Sequence, residues 1–226
     1  LFRSIRNTLK EFEKEKKYQL TFSKIDLTFY GKFMSYCMDD RKQINNTYLK
    51  NLGFFKTFMF WAIKNKYAYN NSFESFNHDD NGKCIIKPTL TKQIALTIED
   101  LTNLMQHEFK TQKLEKVRDV FVFACVTGMR FGELASIKKS NVTDTCIILK
   151  EEKDETKEPR EIPLTSISRY ILNKYDYELP LITNQKQNEY IKDVFEELKY
   201  SKVVQKITTK GKENIKTEMN FYDRIS

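Results

Sequence analysis

Glycine and proline are scarce in this 226-residue chain, which contains only 6 Gly and 4 Pro. Their scarcity favours a helix-rich protein. No run of about 18 apolar residues is present, so the sequence predicts no membrane-spanning helix. Hydrophobic residues still make up 40% of the chain. That share is enough for a packed core, and it excludes a disordered tail.

Histidine is also rare, because His78 and His107 are the only two. They lie far apart without the spacing of metal ligands, so we expect no metal site. The four cysteines are scattered and include no CxxC pair. Cys125 lies in an apolar helical run and Cys146 in a strand-like run, which favours buried thiols and a reducing, cytoplasmic setting.

The positive charge of the chain is unevenly placed. The net charge is +8. Residues 1–90 contain 16 Lys/Arg against 9 Asp/Glu, a net +7, whereas the remaining residues contain 23 against 22, a net +1. We therefore expect a polyanion to bind the first part of the chain.

Periodicity predicts a mainly α fold with a small β-hairpin sheet, in the α+β class. Helices are expected at roughly 2–17, 25–38, 45–66, 70–76, 97–109, 114–127, 131–139, 165–175 and 187–199. Strand-like runs at 145–150 and 160–164 predict a β-hairpin, and the tail at 202–226 alternates like a second one. Turn residues after 77 indicate a linker. We expect a helical domain at 1–80, a linker at 81–93 and a second domain at 94–226.

The predicted third helix has an unusual polar face without acidic residues. On a helical wheel one side carries a core stripe of Leu52, Phe55, Met59 and Ile63, and the other carries Asn46, Lys50, Gly53, Thr57 and Lys64. A DNA phosphate backbone would suit such a face, although it could also be only a solvated surface. The DNA-contacting residues expected here are Lys50, Lys56, Thr57, Lys64 and Lys66. The aromatic residues of the segment are interpreted as core.

The most apolar helix breaks at 123-FACVTGMRFGELASIKK-139. Gly128 suits the left-handed position that ends a helix. Arg130 then stands at the start of the next helix, where a cation is unfavourable unless an anion is shared. Its planar fork matches phosphate oxygens. The alternative is a surface ion pair between Arg130 and Glu133, which would contribute little.

The string T-G-M-R-F-G-E-L in this break resembles the first conserved box of the tyrosine recombinases, the phage-integrase family. The segment at 44–73 resembles the helical core-binding domain of that family, and 94-IALTIEDL-101 resembles the entry to its catalytic domain. The hairpin ending in Ile162, Pro163 and Leu164 resembles the second and third strands of the family. Within the family, the sequence resembles the integrases of integrative and conjugative elements, which are mobile elements.

The resemblance implies site-specific DNA recombination and integration through a 3′-phosphotyrosyl intermediate, without a cofactor. Arg130 would grip the scissile phosphate and Glu133 would orient it, with burial of the pair strengthening the grip. Double-stranded DNA is the implied partner, and complete recombinases of this type act as tetramers. Neither a membrane nor a small-molecule substrate is implied.

The family also implies a lysine in the β-hairpin that protonates the leaving oxygen. Counting back from Ile162 by the usual spacing reaches Glu155, so we assign Lys153, with Lys157 as the alternative.

The family's H-x-x-R box, second His or Trp and tyrosine nucleophile are not found after Arg130, and Tyr222 precedes the expected box. We therefore expect a partial catalytic domain, cut from a longer protein, whose enzymatic status is open. The first alternative is a non-catalytic DNA-binding or regulatory protein on the same scaffold. The second is an unrelated helical module that binds RNA or an acidic protein.

Overall fold

The computed structural model of the chain describes residues 3–90, 94–149 and 158–224. The chain divides into two compact units: unit 1 comprises residues 1–93 and 205–218, and unit 2 comprises 94–204 and 219–226. Helices dominate both, and the strands form two separate two-stranded sheets. The predicted α+β fold class is confirmed. None of the helices in the described ranges has the length and apolarity needed to cross a bilayer.

Unit 1 is built around three helices, which begin and end as follows: α1 Arg3–Lys16, α2 Leu27–Ser35 and α3 Asn45–Lys64. The carboxylate of Asp26 caps α2 by accepting the backbone N–H of Phe29 at 2.8 Å, which satisfies a donor that has no partner within the helix. Helix α2 continues as a π-helical turn over Tyr36–Asp40. The piece predicted near 70–76 is a 3₁₀ turn at Ser72–Ser75.

Aromatic side chains fill the core of unit 1. Phe12 is fully buried and lies edge-on to Phe29, Phe33 and Tyr36, with ring centroids 5.4–5.9 Å apart. Edge-to-face packing of this kind adds about 0.5–1.5 kcal/mol per pair to the burial of the rings. Phe12 therefore joins α1, α2 and the π-helical turn within a core to which α3 also contributes buried side chains.

Unit 1 also contains residues 205–218, the greater part of the second hairpin, which is formed by β3 (Val203–Lys210) and β4 (Glu213–Asn220). Its turn is held by Asn45, whose side chain is fully buried. The Asn45 amide donates to the Gly211 carbonyl at 2.9 Å and accepts the Gly211 N–H at 2.7 Å. The Thr209 N–H also donates to the Thr89 hydroxyl at 3.0 Å. These hydrogen bonds fix the tip of the hairpin at the start of α3; we call this set of contacts the seat of the hairpin.

Unit 2 contains the remaining elements: α4 Ile98–Gln106, α5 Gln112–Thr127, α6 Phe131–Leu134, β1 Cys146–Leu149, β2 Arg160–Pro163, α7 Ser166–Lys174 and α8 Asn184–Glu197. The predicted first hairpin is confirmed, because β1 and β2 pair antiparallel with Ile147 opposite Ile162. Thr97 caps α4: its hydroxyl accepts the Asp100 N–H at 3.1 Å, and its own N–H donates to the Asp100 carboxylate at 2.8 Å.

Gly128 ends α5 in the left-handed conformation, with φ of 66°. The expectation for this glycine is confirmed, because an L-residue with a side chain would be strained there.

The expectation for Cys125 was wrong, because this thiol is exposed on the part of α5 that the core of unit 2 leaves uncovered. Cys146 is partly exposed, and of the four cysteines only Cys37 is buried; all are free thiols.

A buried polar cluster joins α4, α5 and α7. Asp119 is fully buried and accepts hydrogen bonds from the Lys174 ammonium and the Tyr175 hydroxyl, each at 2.7 Å. Arg118 also donates to Asp119, and its guanidinium caps the end of α4 by donating to the Leu104 carbonyl at 2.7 Å. Glu115, which is partly exposed, also pairs with Arg118 and Lys174, so two carboxylates balance the two cations of this cluster.

Candidate functional site

The basic face of α3 is exposed along its whole length. The core stripe of Leu52, Phe55 and Met59 is buried, and Ile63 packs at its edge. The opposite positions, which we call the basic face, are all exposed: Asn46, Lys50, Gly53, Thr57 and Lys64. Lys50 and Lys64 make no ion pair with any described residue. The ammonium groups of Lys50 and Lys64 are therefore not neutralised by a described residue and can bind a phosphate.

Lys56 has a structural position instead. Its ammonium donates to the backbone carbonyls of Glu74 at 3.0 Å and Phe76 at 2.9 Å. Partial burial lowers the pKa of Lys56. Because its donors satisfy carbonyls at the 3₁₀ turn, Lys56 is a poor candidate for a phosphate contact, and we leave it out of the basic face.

Lys66 lies just past the end of α3, where the backbone turns left-handed with φ of 61°. The N–H of Tyr67 donates to the Ala62 carbonyl and that of Lys66 to the Ile63 carbonyl, both at 2.9 Å. These two bonds form a Schellman motif, whose central position favours glycine. The exposed lysine is therefore held at some conformational cost.

Lys66→Gly is expected to stabilise unit 1 by about 1 kcal/mol, because glycine adopts the left-handed conformation without strain. The measurement is the urea midpoint of unfolding at unchanged slope. Asn65→Gly is the matched control, since Asn65 has a negative φ of −94° and should gain nothing. A lower midpoint for Lys66→Gly would contradict the argument.

Several aromatic residues of α3 lie on the surface, so their interpretation as core was wrong for these positions. Phe58, Phe60 and Trp61 are 40%, 53% and 52% exposed. Trp61 stacks between Phe58 and Tyr67, with ring centroids 5.8 Å and 5.6 Å away. The helix is apolar on more than half of its circumference, so it has more aromatic residues than the core can cover. They flank the basic face.

Arg130 opens α6 and pairs with Glu133. Its guanidinium donates to Glu133 Oε1 at 3.1 Å, and its backbone N–H donates to Glu133 Oε2 at 2.8 Å. The anion expected beside this helix end is therefore a carboxylate of the chain itself. The side chain of Arg130 is 81% exposed and that of Glu133 is 27% exposed. The expectation of a buried pair does not hold in the free protein.

An exposed ion pair of this kind contributes little to stability. Arginine has five N–H donors, and the bond to Glu133 engages one of them. The remaining donors of Arg130 face solvent. Glu133 therefore orients the guanidinium of Arg130 but leaves most of its N–H donors available to bind an anion.

Arg160 is a member of this site that the sequence did not reveal. It begins β2, and its guanidinium donates to Glu133 Oε2 at 2.9 Å. Glu133 thus lies between two guanidinium groups. Its pKa is lowered, first because it accepts the Arg130 backbone N–H and then because Arg160 donates to it. The only sequence signal was that Arg160 shortly precedes Ile162 and Pro163.

The predicted hairpin lysine and the question of a metal site remain to be described. Lys153 and its alternative Lys157 lie outside the described residues, so their placement relative to Arg130 stays a prediction. Within the described ranges no group of three or more His, Cys, Asp or Glu side chains is arranged to hold a metal ion.

The division of charge follows the units closely. Unit 1 carries 21 Lys/Arg against 11 Asp/Glu, a net +10, and unit 2 carries 18 against 20, a net −2. The hairpin of β3 and β4 brings additional lysines to the already basic N-terminal part. All of the net positive charge therefore belongs to the unit that contains the basic face.

Comparison with known proteins found similarities to this chain in one family model and among solved structures. The family model described as the phage integrase SAM-like domain matches residues 2–80. A crystal structure of XerA recombinase aligns with 88% of this chain and 70% of its own, at 13% sequence identity and a TM-score of 0.35. No curated protein matches this chain.

The first 80 residues, which make up most of unit 1, are therefore similar to the SAM-like domain of phage integrases. This match agrees with the resemblance to the phage-integrase family that the sequence indicated for the first domain.

Proposed function

We propose that the chain binds duplex DNA through the basic face of α3 and supplies Arg130 to the scissile-phosphate site of a site-specific recombinase. The observation that carries the proposal is the exposed, acid-free surface of α3 within an integrase SAM-like domain. Lysines there would neutralise phosphates and release counterions, while Gly53 and Thr57 allow close approach of the backbone.

Arg130 would then act on the phosphate at which the strand is cut. Attack of a tyrosine hydroxyl on a phosphodiester forms a 3′-phosphotyrosyl bond and frees a 5′-hydroxyl, and negative charge builds up on the phosphate oxygens. The exposed donors of Arg130, aimed by Glu133, can bind those oxygens. DNA covering the site would remove water, which strengthens every charge interaction there.

The other groups of the reaction complete this proposal. Lys153, with Lys157 as the alternative, would protonate the leaving oxygen. The H-x-x-R box, the second His or Trp and the tyrosine would be supplied from outside these 226 residues. Strand exchange would involve four copies of the protein on DNA, and the reaction would serve the integration of a mobile element.

The test of DNA binding is the double variant Lys50→Glu/Lys64→Glu. We expect roughly a 10–100-fold loss of affinity for duplexes of any sequence, because two phosphate-binding cations are removed and repulsion is added. The slope of log affinity against log salt should fall by about 2. Fluorescence anisotropy over a salt series measures both quantities.

The matched control is Lys10→Glu/Lys14→Glu in α1, which makes the same charge change in the same unit. These lysines are exposed among Glu11, Glu13 and Glu15, a mixed-sign surface that does not suit a phosphate backbone. The control should change affinity far less than the α3 variant. If both double variants lose affinity equally, the loss reflects net charge alone, and the proposal that the basic face binds DNA is contradicted.

A further inference from the structure

The hairpin of β3 and β4 carries an unpaired set of lysines. They are Lys206 and Lys210 on β3, Lys212 in the turn and Lys216 on β4. None of them makes an ion pair with a residue that the structure describes. Two glutamates on β4 leave the distal hairpin, residues 205–218, with a net charge of +2. The hairpin therefore adds free cations to unit 1.

Most of this hairpin is open to solvent. Residues 205–207 and 212–218 are all exposed, including Ile207 at 36% and Ile215 at 41%. A two-stranded hairpin with both faces in water is marginally stable by itself. Here its tip is fixed by the reciprocal hydrogen bonds between Asn45 and Gly211. The base is held as well, since Val204 is buried, so the exposed residues between base and tip offer surface to a partner.

The hydrogen bonds between Asn45 and Gly211 place the tip of the hairpin at the N-terminal end of the basic face of α3. Asn45, which holds the tip, immediately precedes Asn46, the first residue of that face. Asn46 in turn pairs with Thr89, donating to its carbonyl at 3.2 Å and accepting its N–H at 2.7 Å. Thr89 also accepts the Thr209 N–H of β3. Hairpin and helix are thus tied together where the basic face starts.

We propose that the hairpin of β3 and β4 is a second DNA-contacting element of unit 1, which binds phosphates of the same duplex as α3. The strands have 8 residues each, roughly 26 Å at about 3.3 Å per residue. A two-stranded ribbon fits the major groove, which has a phosphate backbone on either side. Lysines on both strands suit that position, and this inference rests on the proposed DNA binding.

The experiment is a salt series of duplex binding for Lys206→Gln/Lys216→Gln in the whole chain. Both lysines are exposed and distant from the turn that Asn45 holds, so the fold should be retained. We expect roughly 10-fold or greater loss of affinity and a salt slope smaller by about 2, since each lysine is expected to neutralise one phosphate. Lys206→Glu/Lys216→Glu should bind more weakly still, because repulsion is added.

Parallel variants separate the possible outcomes. If the hairpin variants bind like the wild type while Lys50→Glu/Lys64→Glu is impaired, the hairpin proposal is overturned and the proposed function stands. If the wild type itself shows no salt-dependent duplex binding, both fail together. Hairpin variants no weaker than the Lys10→Glu/Lys14→Glu control would also overturn the hairpin proposal, since α1 offers only a mixed-sign surface.

Discussion

Arg130→Ala is expected to lower DNA strand cleavage by about 10²–10³-fold in a protein that combines this chain with the tyrosine and the H-x-x-R box. The reason is that a cation aimed at the phosphate interacts most strongly when charge builds up in the transition state. Duplex affinity should change little, because one exposed phosphate contact among several is removed. The rate of covalent protein–DNA complex formation on a suicide substrate measures the loss.

Companion variants distinguish a catalytic role of Arg130 from a structural one. Arg130→Lys keeps the charge but lacks the planar fork, so it should recover only part of the rate. Glu133→Gln weakens the aim of Arg130 and should give an intermediate loss. The exposed Lys138 in the same unit provides the control, since Lys138→Ala should cleave normally. If Arg130→Ala cleaves DNA at the wild-type rate, Arg130 has no catalytic role and contributes only to the structure.

The second large effect is expected for Asp119→Asn, which should destabilise unit 2 by about 3–5 kcal/mol. Removing the carboxylate leaves Arg118, which is 5% exposed, and Lys174, which is 26% exposed, without their shared buried anion. A loss of this size should lower the melting temperature of unit 2 by roughly 10–20 °C. Differential scanning calorimetry measures it directly.

Asp193→Asn is the matched control, because Asp193 is exposed on α8 of the same unit. Its effect should stay within about 0.5 kcal/mol, as for surface substitutions in general. If the two variants melt at the same temperature, the buried cluster does not stabilise unit 2 in the way its geometry suggests.

The same cluster predicts a dependence of stability on alkaline pH. Burial lowers the pKa of Lys174, but hydrogen bonds to Asp119 and Glu115 more than offset this, so its pKa is raised overall. Burial and the bond to Asp119 also raise the pKa of Tyr175. Both raised values mean that the folded state holds protons more tightly. The contribution should be intact below about pH 10 and decline above it.

Local patterns predicted much of this fold. The caps at Thr97 and Gly128 depend on neighbouring residues in the chain, and both were visible in the sequence. The exposed positions of α3 followed from a single helical wheel, since the burial of Leu52, Phe55 and Met59 determines which face remains open. Motif resemblance supplied Arg130 and Glu133.

The features that the sequence did not reveal depend on contacts between distant residues. Arg160 reaches Glu133 across 27 positions, and Asn45 reaches Gly211 across 166. The periodic patterns of helices and strands relate residues close in sequence, so they cannot predict contacts between such distant residues. The exposed aromatic residues of α3 were misjudged for a related reason, because an aromatic-rich helix shows more apolar surface than its neighbours can cover, and only packing decides which rings are covered.

The seat that Asn45 provides for the hairpin tip has a consequence for how the protein is made. A ribosome releases residues 1–90 long before Gly211 is synthesised, so the N-terminal helices must first fold without the ribbon that later docks on them. Until then, the side chain of Asn45 lacks its Gly211 partner, although its amide group can already donate to the Lys87 carbonyl. Completion of unit 1 is therefore a late step in biosynthesis, controlled by a segment that leaves the ribosome well after the helices it joins.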